Sequence, residues 1–285
     1  MMLDASLFAG AAGAALAQLQ VGDVELFYRV YDAAAGKPDA AALQREYLDA
    51  GSAGLRDFIP YRILSADSLA QQIARTPAVY ENARSCRPAL ATLAQRVPQL
   101  IARLKQLYPA TSNPRATIVI GRDNSGGTVG DAGVILGLEV VCENRTHSEY
   151  PVADRLTYIL AHELVHTQQR GYAGNTVLAI SLNEGIADFI GELASGHPLN
   201  VQLHEWTKGH EADIAARLRA DMDHTDASAW LYNGMGTPEH PGDLGYWVGY
   251  RIARAYYDRM PDKPAAIRRL LEETDAHAML RDSGW

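Results

Sequence analysis

The sequence predicts an α+β fold that is mainly helical, with one small antiparallel sheet. Most of the chain carries apolar residues at three- and four-residue spacing, the period of a helix that buries one face. Two short β-branched runs, at 116–120 and 134–138, break that pattern and flank a glycine-rich turn. Prolines then separate the helical stretches, since proline ends a helix or opens its first turn.

In chain order, helical periodicity covers 40–49, 65–73 and 89–107, punctuated by Pro60, Pro77, Pro88 and Pro109. The glycine-rich segment 121–130 reads as a turn between the two strands. It lacks the lysine and hydroxyl of a phosphate-binding loop, and no GxGxxG opens a helix there. Pro151 suits the first turn of a helix running over 152–169, which meets no further Pro or Gly before Gly171. A second helix starts near Ser181 or Asn183 and runs to Ala194, and later helices cover 202–222, 244–260 and 264–274. The resulting organisation is a candidate signal segment at 1–17, a helical region at 18–110 and a region at 111–285 that continues it without a forced boundary.

The 285 residues suffice for a sizeable core, and 47% hydrophobic with 21% charged residues is ordinary for a folded globular chain. A formal net charge of −8 argues against a nucleic-acid partner, which calls for a basic face. No apolar run reaches bilayer-spanning length. Cys86 and Cys142 form no CxxC pair, which excludes a cysteine-built zinc site; one disulfide and two separate buried thiols both remain open. The alanine-rich stretch 7–16, with Ala15-Leu16-Ala17 before Gln18, fits a secretory signal and points to a periplasmic or secreted protein. Asp4 and the absence of an early Lys or Arg fit the alternative, an N-terminal helix packed on a cytoplasmic domain.

The stretch that carries chemistry is His162-Glu163-Leu164-Val165-His166, within the helix over 152–169. Residues four apart are about 40° apart around a helix and about 6 Å along it, so both imidazoles reach one ion. Glu163 stands beside that ion, placed to take a proton from metal-bound water. The flanking Tyr158-Ile159-Leu160-Ala161 makes the helix mostly buried, where unpartnered histidines and carboxylates are costly. A third ligand is required, and Glu184, in Asn183-Glu184-Gly185-Ile186-Ala187-Asp188, supplies one. Asp188, one turn further, can accept the second N–H of a ligating imidazole. His204 and His210 read as surface residues facing different ways, and His147, His224 and His277 as isolated structural ones.

HExxH followed by ExxxD resembles the gluzincin metallopeptidases, the group containing the thermolysin-like enzymes. More narrowly, the chain resembles a family of predicted zinc-dependent proteases (domain of unknown function 2268). The resemblance is carried by His162 to Gln168, Asn183 to Asp188, and Gly245-Tyr-Trp-Val-Gly-Tyr-Arg-Ile252, over roughly residues 80 to 285. Glu184 lies slightly closer to the second histidine than in thermolysin-like enzymes. The resemblance implies a zincin-like fold, a Zn2+ cofactor on His162, His166 and Glu184, and a peptide or protein substrate. It implies Glu163 as general base and a Tyr or His that stabilises the oxyanion, for which Tyr246 is chosen over Tyr250 and His240. It also implies that an extended substrate pairs with an edge strand, the place occupied by 133–139. The function expected on this basis is a zinc metallopeptidase. The alternatives are a zinc hydrolase of non-peptide esters or amides, and a non-catalytic zinc-containing binding domain. The sequence carries no signal for an oligomeric state.

Overall fold

A computed structural model describes residues 19–143, 149–198, 200–234, 236–237 and 241–285. The signal segment expected at 1–17, together with His147 and His240, lies outside the described residues. The chain divides into two compact units. The first comprises Met1–Ala102, Ser112–Arg145 and Tyr150–Thr167; the second comprises Arg103–Thr111, Thr146–Glu149 and Gln168–Trp285.

In the first unit, strand β1 (Leu19–Gln20) leads into helix α1 (Gly22–Ala33), which buries Phe27, Tyr28 and Tyr31. Short helices α2 (Ala40–Leu43) and α3 (Ala53–Phe58) each run on into a single π-helical turn, at Gln44–Leu48 and Ile59–Ile63. Asp39, Ser52 and Ser65 cap α2, α3 and α4 (Ala66–Arg75), each accepting a backbone N–H of the first turn. Helices α5 (Pro77–Cys86) and α6 (Ala89–Leu107) complete the helical set before the sheet.

Strands β2 (Ala116–Val119), β3 (Gly127–Gly130) and β4 (Gly133–Gly137) join β1 in a sheet of order β1-β2-β4-β3. Every residue of β2 and β4 is buried, as expected of the two central strands. This corrects the antiparallel expectation. β1 and β4 both run parallel to β2, and only β3 is antiparallel, to β4. It also corrects the edge-strand expectation, because β4 is enclosed on both sides and the edges are β1 and β3, the latter inside the glycine-rich segment read as a turn.

Aromatic hydroxyls tie the α1 core to the end of β2. Tyr47 Oη donates to Ile120 O at 2.7 Å and accepts from Ile120 N at 3.0 Å. Tyr80 donates to Gly121 O and Tyr28 to Tyr80 O, so these buried rings keep their polar ends satisfied. Helix α7 (Leu138–Glu143) follows β4, and Cys142 on it is disulfide-bonded to Cys86 at the end of α5, with Cα atoms 6.2 Å apart. Of the two states left open by the sequence, the structure takes the disulfide.

Helix α8 (Val152–His166) opens after Pro151 and packs against β3, β4 and α7. Its buried Arg155 donates to Val141 O and Cys142 O, closing carbonyls that the end of α7 leaves open, and to Tyr150 O ahead of α8.

The second unit is built on helices α9 (Val177–Ser195) and α12 (Leu244–Arg259). Thr176 caps α9, accepting from Ala179 N, so the helix starts ahead of Ser181; Gly196, left-handed at φ 79°, ends it. The two helices meet backbone to backbone: a Cβ on Gly185 would stand 2.0 Å from Tyr250 N, and one on Gly249 would stand 1.7 Å from Ser181 O. The single helix expected over 202–222 is two, α10 (Val201–Trp206) and α11 (Glu211–Asp221), parted at Gly209, whose φ is 83°. Helices α13 (Lys263–Glu272) and α14 (Ala276–Ser283) follow α12. Among the described residues, no helix is long and apolar enough to cross a membrane.

Candidate metal centre

His162 and His166 stand on successive turns of α8, and their Nε2 atoms approach to 2.9 Å with the rings at 83° to each other. Both imidazoles therefore aim at one point, as the four-residue spacing requires. Around a tetrahedral zinc with bonds of about 2.0–2.1 Å, two ligand nitrogens are separated by roughly 3.3 Å. The observed pair needs to open by only a few tenths of an ångström to fit. His162 is 8% exposed, so its ring sits in a largely dry wall.

Glu163 is buried too. It lies directly against the edge strand, where a Cβ on Gly127 would fall 2.4 Å from Glu163 Oε1 and 2.7 Å from its Cγ. Glycine at 127 is thus what gives the Glu163 carboxylate its place.

Glu184, in the middle of α9, accepts a hydrogen bond from Tyr232 Oη at 2.6 Å. Tyr246, in the first turn of α12, has its ring 6.3 Å from that of Tyr232, edge to face. Burial, and then the charge of Glu184, hold the Tyr246 hydroxyl well above the usual tyrosine range, so it remains a proton donor. Asp188 is buried and accepts from Asn200 Nδ2 at 2.8 Å. Asn200, Tyr232 and Asp243 all take left-handed backbone conformations, with φ of 52°, 58° and 59°. Non-glycine residues enter that region at a cost, and strain of this kind collects at functional sites. Asn233 and Asp243 hold the loop by exchanging two backbone-to-side-chain bonds.

Within the first unit, His162 and His166 bring two imidazole donors together; Glu184, in the second unit, offers a carboxylate. Two imidazoles and one carboxylate are a donor set that zinc accepts. Tyr232 was missed in the sequence; its only signal is an aromatic residue ahead of Asn233-Gly234, in the loop before α12. His204 is corrected from a surface residue to a half-buried one. Its ring lies edge to face against Tyr250 at 4.5 Å, and burial pushes its pKa down. His277 bonds Asp223 at 2.8 Å, and His224 lies 3.7 Å from Asp221.

Residues 227–285 match the family model of the gliding motility protein GldB, a lipoprotein family. The matched segment includes Tyr232 and Tyr246 but none of His162, Glu163, His166, Glu184 and Asp188. No curated protein matches the chain. The family match corrects the resemblance to the predicted zinc-dependent protease family, and with it the expected metallopeptidase function and gluzincin assignment. A motif fixes a donor set and its local geometry; it does not fix the bond that is cut, or whether one is cut.

Proposed function

We propose that this chain is a zinc-containing binding domain of the cell envelope, with His162, His166 and Glu184 as the protein ligands. The observation that carries this reading is the convergence of two Nε2 atoms to 2.9 Å on one buried helix. When bound, zinc would cross-link its protein ligands. Asp188 would orient one imidazole by accepting its second N–H, and Tyr232 would hold the Glu184 carboxylate in place. The packing of α8 against β3 and β4 supports a zincin-like arrangement. The match to a gliding motility lipoprotein family supports an envelope setting. The Cys86–Cys142 disulfide supports an oxidising compartment.

A second reading has its own observation. Glu163 is neither one of the three ligands nor solvated; it is held against Gly127 beside the first histidine. A carboxylate there can take a proton from water, which supports hydrolysis of a non-peptide ester or amide.

Elemental analysis of the purified chain tests the first reading. About one zinc per wild-type chain is expected, largely lost in His162→Ala and in Glu184→Ala. Wild type without stoichiometric zinc after reconstitution overturns it. Hydrolysis of p-nitrophenyl acetate, compared with Glu163→Gln, tests the second: equal rates in both proteins exclude it.

A further inference from the structure

Within the second unit, Tyr232 stands out as an aromatic residue that gains little from packing. It is 67% exposed, although Trp230 and Leu231 just before it are buried. Those two anchor the loop: Trp230 Nε1 donates to Asp221 at 2.9 Å, and Trp230 O accepts from Gly245 N at 2.8 Å. Asn233 and Asp243 clasp it on the other side. The backbone at Tyr232 is left-handed, with φ 58°, a region that a bulky residue enters only at a cost. Burial of so exposed a ring offsets little of that cost. The bond from its Oη to Glu184 Oε1 offsets more: at 2.6 Å it is short and runs to a carboxylate, the strong class of hydrogen bond. The loop conformation thus serves the hydroxyl, and the hydroxyl serves one oxygen of Glu184.

We infer that Tyr232 is a positioning residue that limits Glu184 to coordination through one oxygen, and so selects zinc over larger, oxygen-seeking divalent cations such as Mn2+. The inference rests on the reading of Glu184 as a zinc ligand. A carboxylate offers a metal either one oxygen or both. A phenol donating to Oε1 draws charge from that oxygen and holds the group's orientation, which leaves Oε2 as the stronger donor. Tetrahedral zinc takes a single carboxylate oxygen beside two imidazoles and loses nothing by the restriction. Mn2+ and Ca2+ fill roughly six or more positions, preferably with oxygens, and use carboxylates in the two-oxygen mode, so the same restriction deprives them of a ligand.

Equilibrium dialysis of the full chain against Zn2+, and separately against Mn2+, compares wild type with Tyr232→Phe, which keeps the exposed ring and removes only the hydroxyl. The zinc Kd is expected to rise roughly tenfold or more in the variant, while the Mn2+ Kd stays the same or falls. The visible spectrum of the Co2+-loaded protein reads the coordination directly. Wild type should give the intense bands of a four-coordinate ion, and Tyr232→Phe the weaker bands of a higher coordination number. A residue that merely shapes the loop would weaken both metals by one factor and leave the cobalt bands alone. An unchanged preference for zinc over Mn2+, or an unchanged cobalt spectrum, therefore overturns the inference while the zinc site stands. A wild type that binds neither zinc nor cobalt overturns the zinc reading itself, and the inference with it.

Discussion

Replacing Gly249 by alanine puts a methyl group where two helix backbones already touch. The new Cβ would lie 1.7 Å from Ser181 O and 3.0 Å from Gly185 Cα. A carbon and a carbonyl oxygen rest at about 3.3 Å or more, so α12 would have to withdraw from α9 by roughly 1.5 Å. Backbone on both sides leaves no side chain to swing away. A gap of that size forfeits much of the dispersion energy of the surrounding contacts, and overpacking of this kind costs about 1–3 kcal/mol, sometimes more. Alanine returns about 1 kcal/mol through its better helix propensity. The net expectation is a loss of about 3 kcal/mol, because rigid partners put the clash at or above the top of the usual range. In urea this moves the midpoint down by about 1.5 M at an m-value near 2 kcal/mol/M. Gly22→Ala is the control: its Cβ meets nothing within 4 Å, and the change should stay within about 0.5 kcal/mol of zero or stabilise slightly. A Gly249→Ala midpoint indistinguishable from wild type would show that the helices are not packed through Gly185 and Gly249.

Two further outcomes follow from the first unit. Changing Cys86 and Cys142 together to serine opens a loop with a sequence separation of 56; chain-entropy reasoning puts the loss at about 4 kcal/mol, read as a lower unfolding midpoint matched by wild type under reductant. Glu139 is fully buried, with Oε1 accepting from Asp123 N and Oε2 without a partner; burial raises its carboxyl from the ordinary 4.5 to about 7. Between those values the native state keeps a proton that the unfolded chain has released. Its contribution is therefore complete below pH 4.5 and declines by roughly 3 kcal/mol as pH rises through 7. Glu139→Gln should remove that decline from a series of urea melts between pH 5 and 8, and an unchanged slope would assign it to other groups.

Local signals in the sequence reached local structure and stopped there. The span 89–107 coincides with α6 because its apolar period carries on past Pro98, which sits inside the helix, and Pro151 marks the start of α8. The start of α9 is hidden in the sequence because Thr176 and Val177 carry a cap and a β-branched residue, a pair that also opens strands. The sheet topology is hidden for a different reason. β3 is Gly127-Thr-Val-Gly130, too poor in side chains to announce a strand, and its presence is what makes β4 central. The histidine pair was legible since a four-residue spacing fixes its own geometry. Tyr232 was not, because its role depends on a left-handed loop conformation that no periodicity encodes.

Gly127 offers a way to separate the two readings of the metal centre. What the glycine accommodates is the Glu163 carboxylate, which a Cβ would meet at 2.4 Å. A zinc ion that serves only as a cross-link has no use for that carboxylate, whereas water activation depends on where it stands. Gly127→Ala should therefore leave zinc content near wild type in either case, since the ligands keep their places. Under the hydrolytic reading, p-nitrophenyl acetate turnover falls by about a hundredfold, the lower range for losing a positioned base. Under the binding reading, turnover is no higher than that of zinc-free protein from the start, and the substitution changes nothing. Loss of zinc in Gly127→Ala would mean that the edge strand, through Glu163, also holds the histidines, and would refute the assignment of Gly127 to the carboxylate alone.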